Sequence, residues 1–122
     1  MQKLTKAEEE IMQIIWTLGP CLVAQIREFI KKELGQPMPP HSTVSTLVRS
    51  LESKGFVDHK AYGRTYEYFP TVQKEDYSKL RLNTLVSNYF DGSMKRLVSF
   101  IVKENDLSLS ELTELMNKLE EE

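Results

Sequence analysis

Breaks made of glycine and proline divide the first 70 residues into segments too short to be anything but small packed elements. Gly19-Pro20, the stretch from Gly35 through Gln36-Pro37-Met38-Pro39-Pro40, and Lys54-Gly55 each stop an apolar repeat. Before the first break, Thr5 and Glu8 have the spacing of a capping box, and Ile11, Ile14, Ile15 and Leu18 recur at helical spacing. Between the first and second breaks, Val23, Ile26, Phe29 and Ile30 repeat the pattern. After the prolines, His41 or Ser42 is placed to cap a third helix whose Val44, Leu47, Val48 and Leu51 share one side. The periodicity then changes. Phe56-Val57-Asp58-His59-Lys60 and Thr65-Tyr66-Glu67-Tyr68-Phe69 are rich in β-formers, and Ala61-Tyr62-Gly63-Arg64 between them carries a glycine suited to a turn. Three short helices followed by a hairpin are the parts of a winged helix-turn-helix, here assigned to residues 1–72.

Residues 73–122 read as helix throughout. Tyr77, Leu80, Leu85, Val86, Tyr89 and Phe90 precede a break at Asp91-Gly92-Ser93, and Met94, Leu97, Val98, Ile101 and Val102 follow it. Ser108 and Glu111 form a second capping-box pattern, after which Leu109, Leu112, Met116 and Leu119 step by three and four residues like a coiled-coil seam. Three amphipathic helices of this size cannot hide so much apolar surface by themselves, and a symmetric pairing with a second copy relieves that. The expected dimer interface is Tyr89, Phe90, Met94, Leu97, Val98, Ile101, Leu109, Leu112, Met116 and Leu119.

The formal net charge of −2 excludes a simple polycation that coats nucleic acid, so DNA binding must come from local arrangement. Residues 1–72 hold nine Lys/Arg against eight Asp/Glu, and residues 73–122 hold seven against ten, which leaves the acidic excess in the second part. No apolar run has the length of a membrane span, and Met1-Gln2-Lys3-Leu4-Thr5-Lys6 lacks the layout of a secretory signal, so a cytoplasmic protein without membrane insertion is expected. Cys21 is the single cysteine and cannot form an internal disulfide. His41 and His59 have no Ser or Cys partner pattern, there is no phosphate-binding glycine loop, and the His and Cys spacings match no metal motif. An enzyme is therefore not expected, nor is a metal or other cofactor.

The polar side of the third helix carries the functional expectation. Thr43, Thr46, Arg49 and Ser50 offer short hydroxyls and one forked donor near a helix start. An arginine can make a bidentate contact to guanine, a threonine methyl can touch thymine, and hydroxyls can hold phosphates. In the hairpin, His59, Lys60, Tyr62 and Arg64 read as a cationic tip that grips the DNA backbone.

The order and spacing of these pieces resemble the penicillinase repressor and methicillin-resistance regulator (BlaI/MecI) family over nearly the whole chain. Leu4 through Met12 followed by Trp16 resembles the family's opening helix; Ser42-Thr43-Val44 through Leu47, Leu51 and Lys54-Gly55-Phe56-Val57 resembles its recognition helix and first strand. Gly63 through Tyr68 with Pro70 resembles its wing, and Tyr89 through Ser93, Leu97 through Phe100 and Asn105 through Ser108 resemble its dimerisation region. The resemblance implies a homodimeric repressor that binds palindromic operator DNA of resistance genes, with contacts from Ser42, Thr43, Thr46, Arg49 and Ser50 and from Lys60 and Arg64 in the wing. It also implies inactivation by cleavage after a membrane sensor protease responds to a β-lactam, at the bond between Phe100 and Ile101, where Phe100 stands in place of the family's asparagine. Two other readings remain open from the residues: a ligand-responsive winged-helix regulator, and a protein–protein interaction module.

Overall fold

The computed structural model describes the backbone of residues 1–121 and the side chains through Lys118; Leu119, one of the expected interface residues, has its side chain outside those described. Helices α1 (Lys6–Leu18), α2 (Val23–Lys32) and α3 (His41–Ser53) precede strands β1 (Val57–Tyr62) and β2 (Thr65–Pro70), and helices α4 (Lys74–Tyr89), α5 (Met94–Glu104) and α6 (Leu109–Glu121) follow. The chain forms two compact units, Met1–Tyr77 and the residues from Ser78 onward.

In the first unit each helix starts and stops for a local reason. The Thr5 hydroxyl accepts from the Glu8 amide at 3.2 Å while a Glu8 carboxylate oxygen accepts from the Thr5 amide at 2.8 Å, the reciprocal capping box. Gly19, at φ 73°, ends α1 in a conformation that side chains disfavour. At α3 the structure departs from the sequence reading: neither His41 nor Ser42 caps the helix. Pro40 occupies the N-cap at φ −59° without a side-chain bond, because its ring fixes φ at the value needed for entry and it has no amide to satisfy. Arg27 Nε donates to Pro39 O at 2.9 Å and ties this loop to α2.

The core is the convergence of three stripes. Ile11, Met12, Ile14 and Ile15 of α1, Ile26 and Ile30 of α2, and Val44, Val48 and Leu51 of α3 are buried together with Phe56 and Val57. The unit includes the opening turn of α4, because the Tyr77 ring packs edge-on against Phe56 at 5.5 Å and lies 5.8 Å from Trp16. Trp16 Nε1 donates to Val72 O at 2.8 Å across the same corner.

The hairpin is longer and its turn tighter than the sequence suggested. Val57 to Tyr62 pair antiparallel with Pro70 to Thr65, so Ala61 and Tyr62 belong to the strand and only Gly63-Arg64 form the turn. Of these two, Gly63 alone has positive φ, at 65°, the requirement of the type II′ turn that matches strand twist. The outer edge of β2 is paired too: Cys21 and Tyr68 exchange both backbone hydrogen bonds at 2.8 Å. Burial pushes the Cys21 thiol up to about 11, with the Glu67 charge adding to the effect.

In the second unit, Asp91 and Gly92 at φ 51° and 74° turn the chain between α4 and α5. Ser93 caps α5 by accepting from the Arg96 amide at 3.2 Å, Arg96 pairs with Asp91, and Phe90 meets Phe100 with ring centroids 5.5 Å apart. Ser108 accepts from the Glu111 amide at 3.1 Å at the start of α6. No described residue of α5 or α6 is buried. Among the described residues no helix is long and apolar enough to cross a membrane.

One buried charge joins the elements of the first unit. Glu8, 3% exposed, accepts from Ser50 Oγ at 2.5 Å and from Lys54 Nζ at 2.6 Å, besides its bond at Thr5. Burial by itself would raise its carboxyl, but the bonds from Lys54, Ser50 and Thr5 outweigh that and hold it at about 2, below its ordinary 4.5. A depressed carboxyl stabilises the fold fully above its unfolded value and loses that contribution as pH falls toward its folded value, here through the window from 4.5 to 2. That contribution is about 3 kcal/mol. Urea unfolding followed by Trp16 fluorescence at pH 7 and at pH 3 should therefore show a marked loss of stability for the parent. Glu8→Gln should be weaker at pH 7 by about 3 kcal/mol and nearly flat over that pH range.

Candidate nucleic-acid interface

With Val44, Val48 and Leu51 inside, the rotation of about 100° per residue fixes which side of α3 faces out. Ser42, Thr46 and Arg49 share that outward side, and all three are exposed. Thr46 Oγ1 donates to Ser42 O at 2.8 Å, and Arg49 Nη2 donates to Ser45 Oγ at 3.2 Å, which steadies both side chains against their own helix. Thr43 is exposed on the flank nearer α1, beside Ala7 and Pro37. Ser50 lies on that same flank, half-buried, with its hydroxyl given to Glu8. The structure thus gathers three of the five helix residues named from sequence on one surface and places Thr43 and Ser50 at its edge.

The hairpin separates the residues that the sequence grouped at its tip. Strand alternation puts His59 with Tyr66, Tyr68 and Arg64 on the face turned to α3, and Lys60 with Tyr62 and Glu67 on the other. His59 is not at the tip. Its Nδ1 lies 2.5 Å from a carboxylate oxygen of Glu52 in α3, and its ring stacks on Tyr66 at 4.3 Å. The pair locks the wing to the helix it flanks. Lys60 stands across from Glu67 in the strand register, and Arg64 occupies the turn.

Between α2, α3 and β2 lies a cleft of about 520 Å³. Arg49 and Arg64 line it, together with His41 and Ser45 of the first turns of α3 and with Tyr68 of β2. Among the described residues neither arginine has a carboxylate partner. Ser45 and His41 are site residues that the sequence reading passed over. Their spacing to Arg49, four residues apart each time, puts them on one flank of the helix, and that signal was available once the hairpin side was known. The geometry suits a surface that meets a polyanion: hydroxyls and a guanidinium on an exposed helix, with a second guanidinium on the wing beside it.

Glu52, Asp58 and His59 each bring one potential ligand atom within 4.8 Å of the others. These groups already satisfy one another, since His59 bonds Glu52 and the His59 amide donates to Asp58 Oδ1 at 2.8 Å.

Three helices, a two-stranded wing and the outward surface of α3 define a winged helix-turn-helix protein. The sequence profile of the penicillinase repressor family matches residues 4–121, and the chain belongs to that family. It is 27% identical to the penicillinase repressor of Bacillus licheniformis over 120 residues, covering 98% of this chain and 91% of that one. It is 30% identical to the methicillin resistance regulatory protein MecI of Staphylococcus aureus (strain N315) over 117 residues, covering 96% and 93%. Among solved structures, the DNA-binding domain of the repressor BlaI matches with a TM-score of 0.50 at 26% identity, covering 63% of this chain and 94% of that domain. RosR of H. salinarum matches with a TM-score of 0.55 at 19% identity over 86% of this chain and 96% of that one, a likeness of fold.

If the contact between His59 and Glu52 holds the wing, Glu52→Ala should cost about 1 kcal/mol in global stability. Its larger effect should be local: amide exchange in β1 and β2 accelerates relative to α1, measured by hydrogen exchange. Equal protection of the wing amides in parent and variant would show that the contact does not restrain the wing.

Proposed function

We propose that the chain is a homodimeric transcriptional repressor that binds palindromic operator DNA, of the kind found before β-lactam-resistance genes, and acts in the cytoplasm. The observation that carries this is the outward side of α3, where Ser42, Thr46 and Arg49 stand exposed beside the Arg64 wing. Arg49 and Thr46 read base edges in the major groove, Ser42 and Ser45 hold phosphates near the helix start, and Arg64 and Lys60 grip the backbone from the wing. Thr43 contributes at the edge, and Ser50 acts indirectly by fixing α3 through Glu8. The role is binding, without catalysis.

The helical unit supports the dimer half of the reading. Tyr89, Met94, Val98, Ile101, Leu109 and Met116 leave 40–80% of their surface exposed, far more apolar area than a helical unit keeps in water. Phe90, Leu97 and Leu112 are half-shielded and continue the same faces. A second copy covering them makes two linked half-site readers, and linkage converts modest single contacts into tight binding through effective concentration.

Induction follows from the same unit. The bond between Phe100 and Ile101 sits inside α5, so a membrane sensor protease, or an effector it activates, needs α5 to unwind locally before it can cut. Cutting there severs α6 from the rest and removes part of the dimer face.

Fluorescence anisotropy against the chain's own upstream promoter and a scrambled duplex, with mass measured in solution, tests the whole reading. The parent should be a dimer that prefers the promoter, with affinity falling steeply as salt rises. Thr46→Ala or Arg49→Ala should weaken specific binding by about 1–3 kcal/mol and leave the dimer intact. Lys60→Ala should weaken both duplexes alike and lower the salt slope by about one. Leu97→Glu or Leu112→Glu should abolish dimer and promoter binding together. A monomer with equal weak binding to both duplexes would overturn the repressor reading in favour of a protein-interaction module.

A further inference from the structure

We propose that the cleft between α2, α3 and β2 is a binding site for a small aromatic anion, and that its occupant competes with DNA for Arg49 and Arg64. The competition rests on the DNA contacts proposed above; the binding itself does not.

The cleft's volume of about 520 Å³ lies within the range of small-molecule pockets, roughly 300–1,000 Å³. Its electrostatics select a negative charge. Arg49 and Arg64 reach it without a carboxylate partner among the described residues. Two helices also begin at its wall, α2 with Val23 and Ala24 and α3 with His41. At α2 the Gln25 side chain accepts from the Leu22 amide at 2.8 Å, but neither N-cap side chain, Leu22 or Pro40, accepts from a first-turn amide, so first-turn amides and the positive ends of both helices face an anion. Glu52 is the acid near this wall, and its carboxylate is held by His59.

Tyr68 adds a hydrogen-bond donor to the cleft wall. It is 4% exposed and lines the cleft, yet its hydroxyl makes no hydrogen bond to a described residue. Burial, with the Glu52 charge behind it, pushes its hydroxyl above the ordinary value, so it stays a neutral donor. Among the described residues no side-chain oxygen is buried without a partner, so this hydroxyl stays reachable from the cleft and can donate to an anion seated there. Besides the arginines, His41, Ser45 and Thr65, the lining is apolar or aromatic: Leu22, Val23 and Ala24 with the rings of Tyr66 and Tyr68. A bare anion would leave that surface uncovered, whereas a ring bearing a carboxylate covers it and meets the arginines.

Isothermal titration of the full chain, without DNA, with 2-naphthoate, benzoate and inorganic phosphate tests the site. The expected result is saturable binding at one site per chain, tightest for 2-naphthoate and weakest for phosphate. Ala24→Phe, at an exposed position outside the DNA surface, fills the cleft; it should weaken 2-naphthoate at least tenfold while Trp16 fluorescence and promoter binding stay unchanged. Arg64→Gln should weaken it tenfold as well. In the anisotropy assay 2-naphthoate should displace promoter DNA from the parent and not from Ala24→Phe. No saturable uptake, phosphate binding as tightly as 2-naphthoate, or binding untouched by both variants would each overturn the site. Binding without displacement of bound promoter would overturn the competition alone. Binding by a chain that never prefers promoter DNA would leave the site standing and sink the repressor reading.

Discussion

The carboxylate of Glu8 is the contact on which the arrangement of the first unit depends. It begins as half of the capping box that starts α1, and at the same time receives Ser50 and Lys54 from the end of α3. One oxygen pair therefore fixes where α1 begins and how α3 is turned about its own axis. Rotation of α3 by a single residue would swing Arg49 and Thr46 away from the outward side and turn a polar side chain toward the core in place of an aliphatic one. Aliphatic packing alone tolerates such slippage, because one branched side chain can replace another at similar volume. A charge that is buried and fully bonded does not, since misalignment leaves it without partners. The outward surface of α3 is thus set by a polar contact on its inner flank.

The wing is held by the same logic at a second point. Cys21 pairs with the edge of β2 and fixes the hairpin against the start of α2, while the bond from His59 to Glu52 fixes it against α3. Between these two anchors Tyr66 and Tyr68 line the inner face of the hairpin, with Tyr66 stacked on His59. The cleft beside them belongs to the fold's construction, and its cationic rim follows from where Arg49 and Arg64 fall in their elements.

Much of this fold is legible in the chain, and the reasons are local. The isoleucine stripe of α1, the break at Gly19, and the switch to alternating β-formers after Gly55 each depend on residues a few positions apart. The site is less legible because its decisive contacts join residues far apart in sequence. Ser50 reads as one more polar position on α3 until Glu8, 42 residues earlier, is seen to take its hydroxyl. His59 and Lys60 read as neighbours in a basic tip, but a strand sends adjacent side chains to opposite faces, and where the tip falls depends on a turn two residues shorter than the polar stretch suggested. Pro40 hides its role for another reason. It starts α3 by a backbone constraint and without a bonding side chain, so a search for a capping hydroxyl passes to His41 and Ser42.

The two units solve opposite problems of stability. The first buries Phe56, Met12, Ile15, Ile26 and Leu51 almost completely and seals its corner with Trp16 and Tyr77. In the second, α5 and the described part of α6 bury no residue at all, and the ring contact of Phe90 with Phe100 is its one aromatic pairing among the described residues. A segment with so little internal burial opens at low cost when it stands alone and gains its order from whatever covers it. On the proposed reading this weakness has a use. The bond between Phe100 and Ile101 is guarded by a helix that the partner copy stabilises, so the equilibrium that supports operator binding also limits access to the bond. A repressor whose dimer face was rigid on its own would hold DNA equally well, yet could not be released by cutting at that position. On that reading, the exposed apolar faces of α5 and α6 are the structural form of the compromise.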